Sequence, residues 1–585
     1  MWPFNKEPAT ERDLASLYDS YDYIIVGGGT AGCVLARRLS DNGAYTVLLI
    51  EKGDAAESWL HRMGLFSNHH FSDKKHSTVY NVRDKELDRE VPVISGLGLG
   101  GSTRINGCMF TCGSAGEYNA WAQEGNEGWG YQDLKPFFKK SEKWIGSEPR
   151  EFHGADGPLP VSWSEHFEYK SAEEMYRASE RLGFGTISDF HSPMERSFGC
   201  NKLPVTIRPN GTRATALNAY LPQGIRQSRT SHLHICIHAV GEKLQFSSSD
   251  EGVHATGIVV QRIDGKANRT ISARREIVLT CGALTTPQVL MLSGIGLASH
   301  LKEKGVETVV DLPGVGNNLQ DHLIITTTYY CPLKDSLWGA FTSPPTLIRE
   351  LYRYAVHGTG WFKGVTVDCE LFGISSLVSK DGTPLPHTKE QEDSSDPRNL
   401  PDFAVLPSGI APQIPGATPP KDLKGLLGLS CALMRPQSYG RVLLRSTNAL
   451  DEPMFETGYL SNPSDYRVLR AALRVLLALG RNMRESGYPV TPAQVLDGTS
   501  DAAVDAYIRE KATSMSHFTS SCRMGPRSGA KPGVVDASLN VYGVKGLRIS
   551  DASVVPVSPA AHPQAMVYAI AEKCADMILK DALQV

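Results

Sequence analysis

Apolar positions along this chain follow two alternating kinds of pattern. Residues 23–26 (YIIV) form a short apolar run that predicts a strand, GGGTAG at 27–32 interrupts it, and Val34, Leu35 and Leu39 then recur at helical spacing. A second apolar run at 46–50 predicts another strand, ending at Glu51. Similar strand-turn-helix punctuation returns in roughly 95–130, 230–320 and 515–585, where 546–549 predicts a further strand. The intervening stretches, 150–225 and 325–510, carry more aromatics, prolines and charged loops. Within them Leu469, Ala472, Leu473, Leu476 and Leu477 predict a helix packed on a core, and 379–401 predicts an exposed loop or lid. No internal repeat is visible.

The first pattern has a chemical meaning because its parts come in order. Gly27-Gly28-Gly29-Thr30-Ala31-Gly32 is a G-x-G-x-x-G turn between strand and helix, and Glu51 follows the next strand about 20 residues on. Gly27 allows the tight turn, Gly29 lets the backbone approach a pyrophosphate, and Gly32 lets helix and strand pack closely. The amides of Thr30 and Ala31 at the helix start face the phosphates, and Glu51 accepts from ribose hydroxyls while disfavouring a 2′-phosphate. These elements predict an α/β fold: a Rossmann-like cofactor domain at 20–150, 226–324 and 512–585, with a discontinuous α+β substrate-binding domain inserted at 151–225 and 325–511.

Composition narrows the class. At 585 residues, 41% hydrophobic and 21% charged, the chain has the make-up of a large globular enzyme. A net charge of −3 offers no basic surface for nucleic acid and no polybasic stripe for anionic lipid, and no apolar run reaches membrane-spanning length. The N-terminal residues lack a secretory pattern and the terminal ALQV is no targeting signal. Eleven scattered cysteines, including the near pair Cys108 and Cys112, read as reduced thiols rather than disulfides or metal ligands, although sequons at Asn210 and Asn268 point the other way. The expectation is a cytoplasmic enzyme without a metal, acting on a small molecule, with neither nucleic acid nor membrane as partner and its oligomeric state open.

Several blocks in order identify a resemblance. VISGLGLGGSTRINGCMF at 93–110, GNEGWGYQDLKPFFKKSE at 125–142, GALTTPQVLMLSGIG at 282–296 and LPGVGNNLQDH at 312–322 resemble blocks of the glucose-methanol-choline (GMC) family of flavin oxidoreductases. SHFTSSCRMG, VVDASLNVYGVKGLRISDASVVP and AAHPQAMVYAIAEKCADMI resemble its C-terminal blocks, so the match runs nearly end to end. The resemblance implies FAD, contacted by the Gly98–Gly101 turn with Asn106 running past the isoalloxazine, by Val240 near adenine, by Asp551 near the ribityl and pyrophosphate, and also by Ser102, Gly107, Ala552, His562, Pro563 and Gln564. The family's flavinylation histidine is replaced by Ile105, which implies non-covalent FAD.

The resemblance also assigns the chemistry. Oxidising an alcohol requires removal of the hydroxyl proton while hydride leaves the carbinol carbon, and imidazole suits that proton transfer near neutrality. His517 matches the family's base, and His562 matches the second position, which hydrogen-bonds the substrate oxygen. Three departures stand out. Where the family commonly has His-Pro-x-Gly-Thr, this chain has His517-Phe518-Thr519-Ser520-Ser521; Leu97 occupies a position often basic or polar; and Ser516 stands where aryl-alcohol oxidases often carry an aromatic. Trp338, Phe341, Trp361 and Phe362 either line an aromatic pocket or pack in the core. The implied reaction is oxidation of a primary alcohol, aryl, allylic or part of a natural product, to the aldehyde, with O₂ or another acceptor completing the cycle. The alternatives are an FAD-containing lyase or cyclase using the histidines for acid-base chemistry, and, less favoured, a light-driven decarboxylase.

Overall fold

The computed structural model describes residues 10–56, 62–65, 73–146, 151–163, 167, 169–250, 252–409, 411 and 422–583, without the side chains of residues 340 and 341. The ends on which the leader and tail readings partly rest, 1–9 and 584–585, lie outside that set, as does the Phe341 side chain.

The strand Ser20–Val26 is buried on both faces over Ile24, Ile25 and Val26, as suits the middle of a parallel sheet. Asn268–Leu279 lies parallel on one side, with Ile24 opposite Ile277, and Val47–Ile50 on the other, with Ile24 opposite Leu48. Leu233–Cys236 extends the sheet beyond Val47–Ile50, and Leu547–Ile549 adds to Asn268–Leu279, both in parallel. An antiparallel pair, Ala239–Ser249 and Gly252–Arg262, and the short strand Val544–Lys545, parallel to Gly252–Arg262, complete an eight-stranded sheet. The strands expected at 23–26, 46–50 and 546–549 are all present within a few residues at their ends.

Glycine is required at the first turn. Gly27 has φ +106°, and a Cβ there would stand 2.6 Å from the Thr280 carbonyl oxygen. The helix Thr30–Leu39 then packs so tightly on the turn that a Cβ on Gly32 would lie 1.9 Å from the Gly27 oxygen. Its other side packs on the C-terminal helix Gln564–Ala582, where the fully buried Glu572 is held by Arg38 at 2.7 Å, Lys140 at 3.1 Å and the Tyr220 hydroxyl at 3.0 Å. A buried carboxylate demands such partners, and this one ties the last helix to the first.

A second, seven-stranded sheet is antiparallel, in the order Thr491–Pro492, Leu323–Cys331, Gly425–Leu433, Phe403–Ser408, Cys369–Gly373, Gly199–Lys202, with Thr513–Ser514 also paired to Leu323–Cys331. The helix Pro463–Glu485 packs against it, begun by proline in its first turn and by the Asn462 side chain accepting the Ser464 amide. Leu469, Ala472, Leu473 and Leu476 are buried in this core, and Leu477 packs at its edge. Trp361 and Phe362 belong to the same core, while Trp338 packs against Tyr330, Ala411 and Leu426. These three aromatics pack as core side chains because they cover the sheet's apolar surface.

The segment 379–401, expected as an exposed loop or lid, mixes exposed and half-buried residues and is pinned down. The Gly116 amide donates to the Ser394 carbonyl at 2.8 Å, and Asn119 Nδ2 donates to the Ser395 carbonyl at 2.9 Å, docking it on the helix Ala115–Gln123. All eleven cysteines are free thiols, ten of them buried. Among the described residues no helix is long and apolar enough to cross a membrane.

The tight helix-strand contact generates a test. Gly32→Ala is expected to lower stability by about 1–3 kcal/mol through overpacking, read from the urea midpoint; a parental midpoint would show that the turn can widen without strain.

Candidate active site

His517 follows the short strand Thr513–Ser514, which pairs with Leu323–Cys331 so that Leu323 lies opposite Ser514. The pairing continues beyond the sheet: the Met515 amide donates to the His322 carbonyl at 2.9 Å, and Gln320 and Thr519 exchange amide hydrogen bonds at 3.1 and 3.0 Å. His517 is thereby brought beside Asp321 and His322. Its backbone amide donates to Asp321 Oδ1 at 2.7 Å, while the other carboxylate oxygen accepts from Tyr459 at 2.6 Å and from Ser514. Burial pushes the Asp321 carboxyl up to about 6, against the pull of these donors.

The ring contact is between His517 Nδ1 and His322 Nδ1, 3.0 Å apart, and His322 Nε2 lies 3.1 Å from the Ser558 hydroxyl. One nitrogen of the first pair must carry the proton. If His322 donates onward to Ser558 through Nε2, its Nδ1 is the acceptor, so His517 is protonated at Nδ1 and keeps the Nε2 lone pair for a substrate. Burial holds His517 well below the ordinary histidine value of 6.5, and the His322 and His562 imidazoles add to the effect. Burial likewise drives His322 down to about 3. Both rings are neutral, the state a base needs.

His562 faces His517 edge-on, with ring centroids 5.3 Å apart and planes at 87°. It precedes the helix Gln564–Ala582, and its amide donates to Thr111 Oγ1 at 2.9 Å. Its Nε2 lies 2.9 Å from Glu370 Oε2, on the strand Cys369–Gly373 of the second sheet. Glu370 is fully buried, so the pair is shielded from solvent and from salt. A carboxylate behind an imidazole fixes the ring's orientation and stabilises the imidazolium that forms when a proton arrives.

The predicted flavin contacts are fixed by hydrogen bonds of their own. Glu51 accepts three backbone amides, from Gly28 at 2.7 Å, Gly53 at 2.8 Å and Gly98 at 3.0 Å, clamping the two glycine loops together and leaving one of its roughly four lone-pair positions for a ribose hydroxyl. The helix starting at Thr30 and Ala31 has no side-chain cap at Gly29, so its first amides are available to an anion. A Cβ on Gly29 would meet nothing closer than 3.9 Å, the Thr280 oxygen, with Gly101 at 4.0 Å, which leaves a cradle the width of a backbone approach. Gly100 and Gly101 both have positive φ, and Ser102 Oγ accepts the Gly96 amide. Asn106, followed by Gly107, donates from Nδ2 to Gln564 Oε1 at 3.1 Å and accepts from Arg213 at 2.6 Å; Gln564, after Pro563, donates to the Met109 carbonyl. Asp551 accepts from the Gly282 amide at 2.8 Å and the Thr286 hydroxyl at 2.6 Å, and Ala552 accepts the Ser520 amide. Val240 is half-buried on the strand Ala239–Ser249. Open cradle, uncapped amides and a partly satisfied acid fit an FAD.

Asp321, His322, Ser558 and Glu370 escaped sequence reading. A lone glutamate inside the apolar run VDCELFG was a usable signal, because glutamate is almost never fully buried without a partner. The altered loop has a visible consequence: Ser516 and Ser520 both hold positive φ, at +58° and +73°, and Ser520 sits where the resemblance places glycine. A small recess of about 30 Å³ is lined by Thr111, Phe190, Phe372, Ser394, Pro401 and Ala560, the last being near His562 in the chain. Phe190 and Phe372 meet edge-to-face at 5.2 Å. Behind it, His153 lies between Glu142 at 2.6 Å and Asp189 at 3.3 Å; burial opposes its charge, but the two carboxylates outweigh it and raise the ring to about 9. That buried ion triad anchors the segment carrying Phe190.

A nucleotide-binding parallel sheet joined to an antiparallel sheet, with two imidazoles facing each other at the junction, defines a flavin oxidoreductase. The chain belongs to the GMC oxidoreductases, which bind FAD: family models match residues 21–324 and 436–571. It is 33% identical over 569 residues to an oxygen-dependent choline dehydrogenase of Burkholderia multivorans, covering 95% of this chain and 93% of that one. It is 30% identical over 606 residues to dehydrogenase str4 of Strobilurus tenacellus, covering 96% and 94%. Among solved structures, an FAD-dependent oxidoreductase from Chaetomium thermophilum superposes with a TM-score of 0.83 at 25% identity, covering 96% and 100%. A fungal aryl-alcohol oxidase shares the fold with a TM-score of 0.81 at 24% identity, covering 97% and 100%.

The neutral His517 sets a pH expectation. A base whose value lies below 6.5 stays deprotonated as the medium acidifies, so flavin reduction by an alcohol should continue undiminished on the acid side of 6.5. Stopped-flow rates that halve at that pH would mean an ordinary, unperturbed histidine.

Proposed function

We propose that this enzyme oxidises a primary alcohol to the aldehyde, with His517 as the base. The observation that carries this reading is the perpendicular His517–His562 pair, in which each ring has one nitrogen tied to a buried partner and the other left for the substrate. FAD, when bound, supplies the two-electron hydride acceptor. His517 Nε2 takes the hydroxyl proton. His562 holds one N–H on Glu370; when its ring also carries a proton on the other nitrogen, that N–H donates to the substrate oxygen and balances the negative charge that grows on it. The substrate class we favour is an aryl, allylic or natural-product alcohol, as the resemblance implies. O₂ accepts the electrons in the oxidative half-reaction and leaves as hydrogen peroxide. Buried Ile105 offers no nucleophile to the flavin, so FAD is held non-covalently, and the eleven unpaired thiols favour a reducing, cytoplasmic compartment.

Anaerobic mixing with a panel of aryl, allylic, aliphatic and sugar alcohols is expected to bleach the flavin band with the aryl or allylic members, and readmitted air should restore it. No bleaching by any alcohol, with FAD intact, would overturn the reading in favour of a lyase or cyclase. His517→Ala should keep FAD and slow bleaching by about 10²–10⁴-fold, the range for loss of a general base; a parental rate would refute the assignment. Acid precipitation should leave the flavin in the supernatant, and a yellow pellet would show a covalent link.

A further inference from the structure

The helix Pro344–Tyr352, continued by a π-helical turn at Arg353–His357, carries a second apolar face besides the one it packs on the core. Its only carboxylate, Glu350, is fully buried, where it accepts the Trp361 amide at 3.2 Å and pairs with Arg349 at 3.0 Å and Arg353 at 3.2 Å. Leu347 and Tyr354 pack on the antiparallel-sheet core, but four further apolar residues face outward: Ile348 is 67% exposed, Tyr352 58%, Val356 58% and Leu351 41%. Positions 348, 351, 352 and 356 share one helix face, so these side chains form a continuous stripe. Sequence periodicity alone would bury such a stripe. Soluble surfaces scatter large apolar residues singly, and a contiguous row marks a contact.

The charge around the stripe selects the partner. From 342 to 363 Glu350 is the only acidic residue, and it points inward, whereas the Arg349 and Arg353 side chains are 63% and 44% exposed along one edge of the stripe. Aliphatic residues and a tyrosine bordered by guanidinium groups, with no exposed acid, match the requirements of a helix lying in the interface of an anionic bilayer. A twofold contact with a second copy would instead bring the two arginine edges towards each other, at a cost in like-charge repulsion. We propose that this face docks peripherally on a negatively charged lipid surface, with Ile348, Leu351, Tyr352 and Val356 entering the headgroup boundary and Arg349 and Arg353 meeting lipid phosphates. The overall charge of −3 does not oppose this, because attraction to a surface acts within a screening length of the patch.

Co-sedimentation of the yellow holoenzyme with vesicles tests the proposal, comparing phosphatidylcholine alone with phosphatidylcholine containing about a quarter phosphatidylserine. The protein is expected to sediment with the anionic vesicles, to release at raised salt, and to leave the neutral ones. Substituting both Ile348→Asn and Val356→Asn should lower partitioning by at least about tenfold, with FAD content and melting temperature unchanged because both side chains face solvent. The proposal is overturned if neither vesicle retains the protein, or if the double variant binds as well as the parent. It is equally overturned if sedimentation equilibrium reveals a dimer that the same double substitution dissociates, which would assign the face to a second copy.

Discussion

An imidazole taken out of water must find a partner for the nitrogen it does not use, and that requirement organises this enzyme's centre. His517 and His562 both come from the C-terminal part of the chain, yet the groups that steady them, Asp321, His322 and Glu370, come from the antiparallel sheet or the segment entering it. Neither part holds the pair alone. The strand Thr513–Ser514 makes the join, since its pairing with Leu323–Cys331 sets the register that brings His322 to His517. Shifting that pairing by one residue would send the neighbouring side chains to the opposite face.

The cofactor side depends on a second buried anion. Glu51 gathers the amides of Gly28, Gly53 and Gly98, so one carboxylate fixes the spacing between the loop at the first helix and the loop before Asn106. Glu572 does the same for the helices, through Arg38 and Lys140. Each acid is stable in the interior because amides, guanidinium or ammonium groups surround it, and each joins segments far apart in sequence. The result is a pair of glycine loops whose spacing is fixed by one buried carboxylate.

The parallel sheet was legible because its signals are local: an apolar run, a glycine turn whose atoms leave no room for a side chain at Gly32, and an acid at the end of the next strand. The helix Pro463–Glu485 was legible for the same reason, its stripe from Leu469 to Leu476 being a simple period. The partners of the catalytic rings were not legible, because His322 and His517 are 195 residues apart and only strand pairing unites them. Trp361 and Phe362 show the opposite limit, since an aromatic pair reads equally as pocket or core until the sheet beneath it is known. Ile348 and Val356 show a third limit, since their exposure beside the buried Glu350 and its two arginines runs against the burial that their spacing alone implies.

His322 acts on the chemistry only through His517, by fixing which nitrogen carries the proton. A double-mutant cycle on the rate of flavin reduction by a competent alcohol tests it most directly, using His322→Asn, His517→Ala and the two combined. Each single substitution should slow reduction, and the double variant should be no slower than His517→Ala alone. Slowing factors that multiply in the double variant would show that His322 contributes independently and would contradict the account.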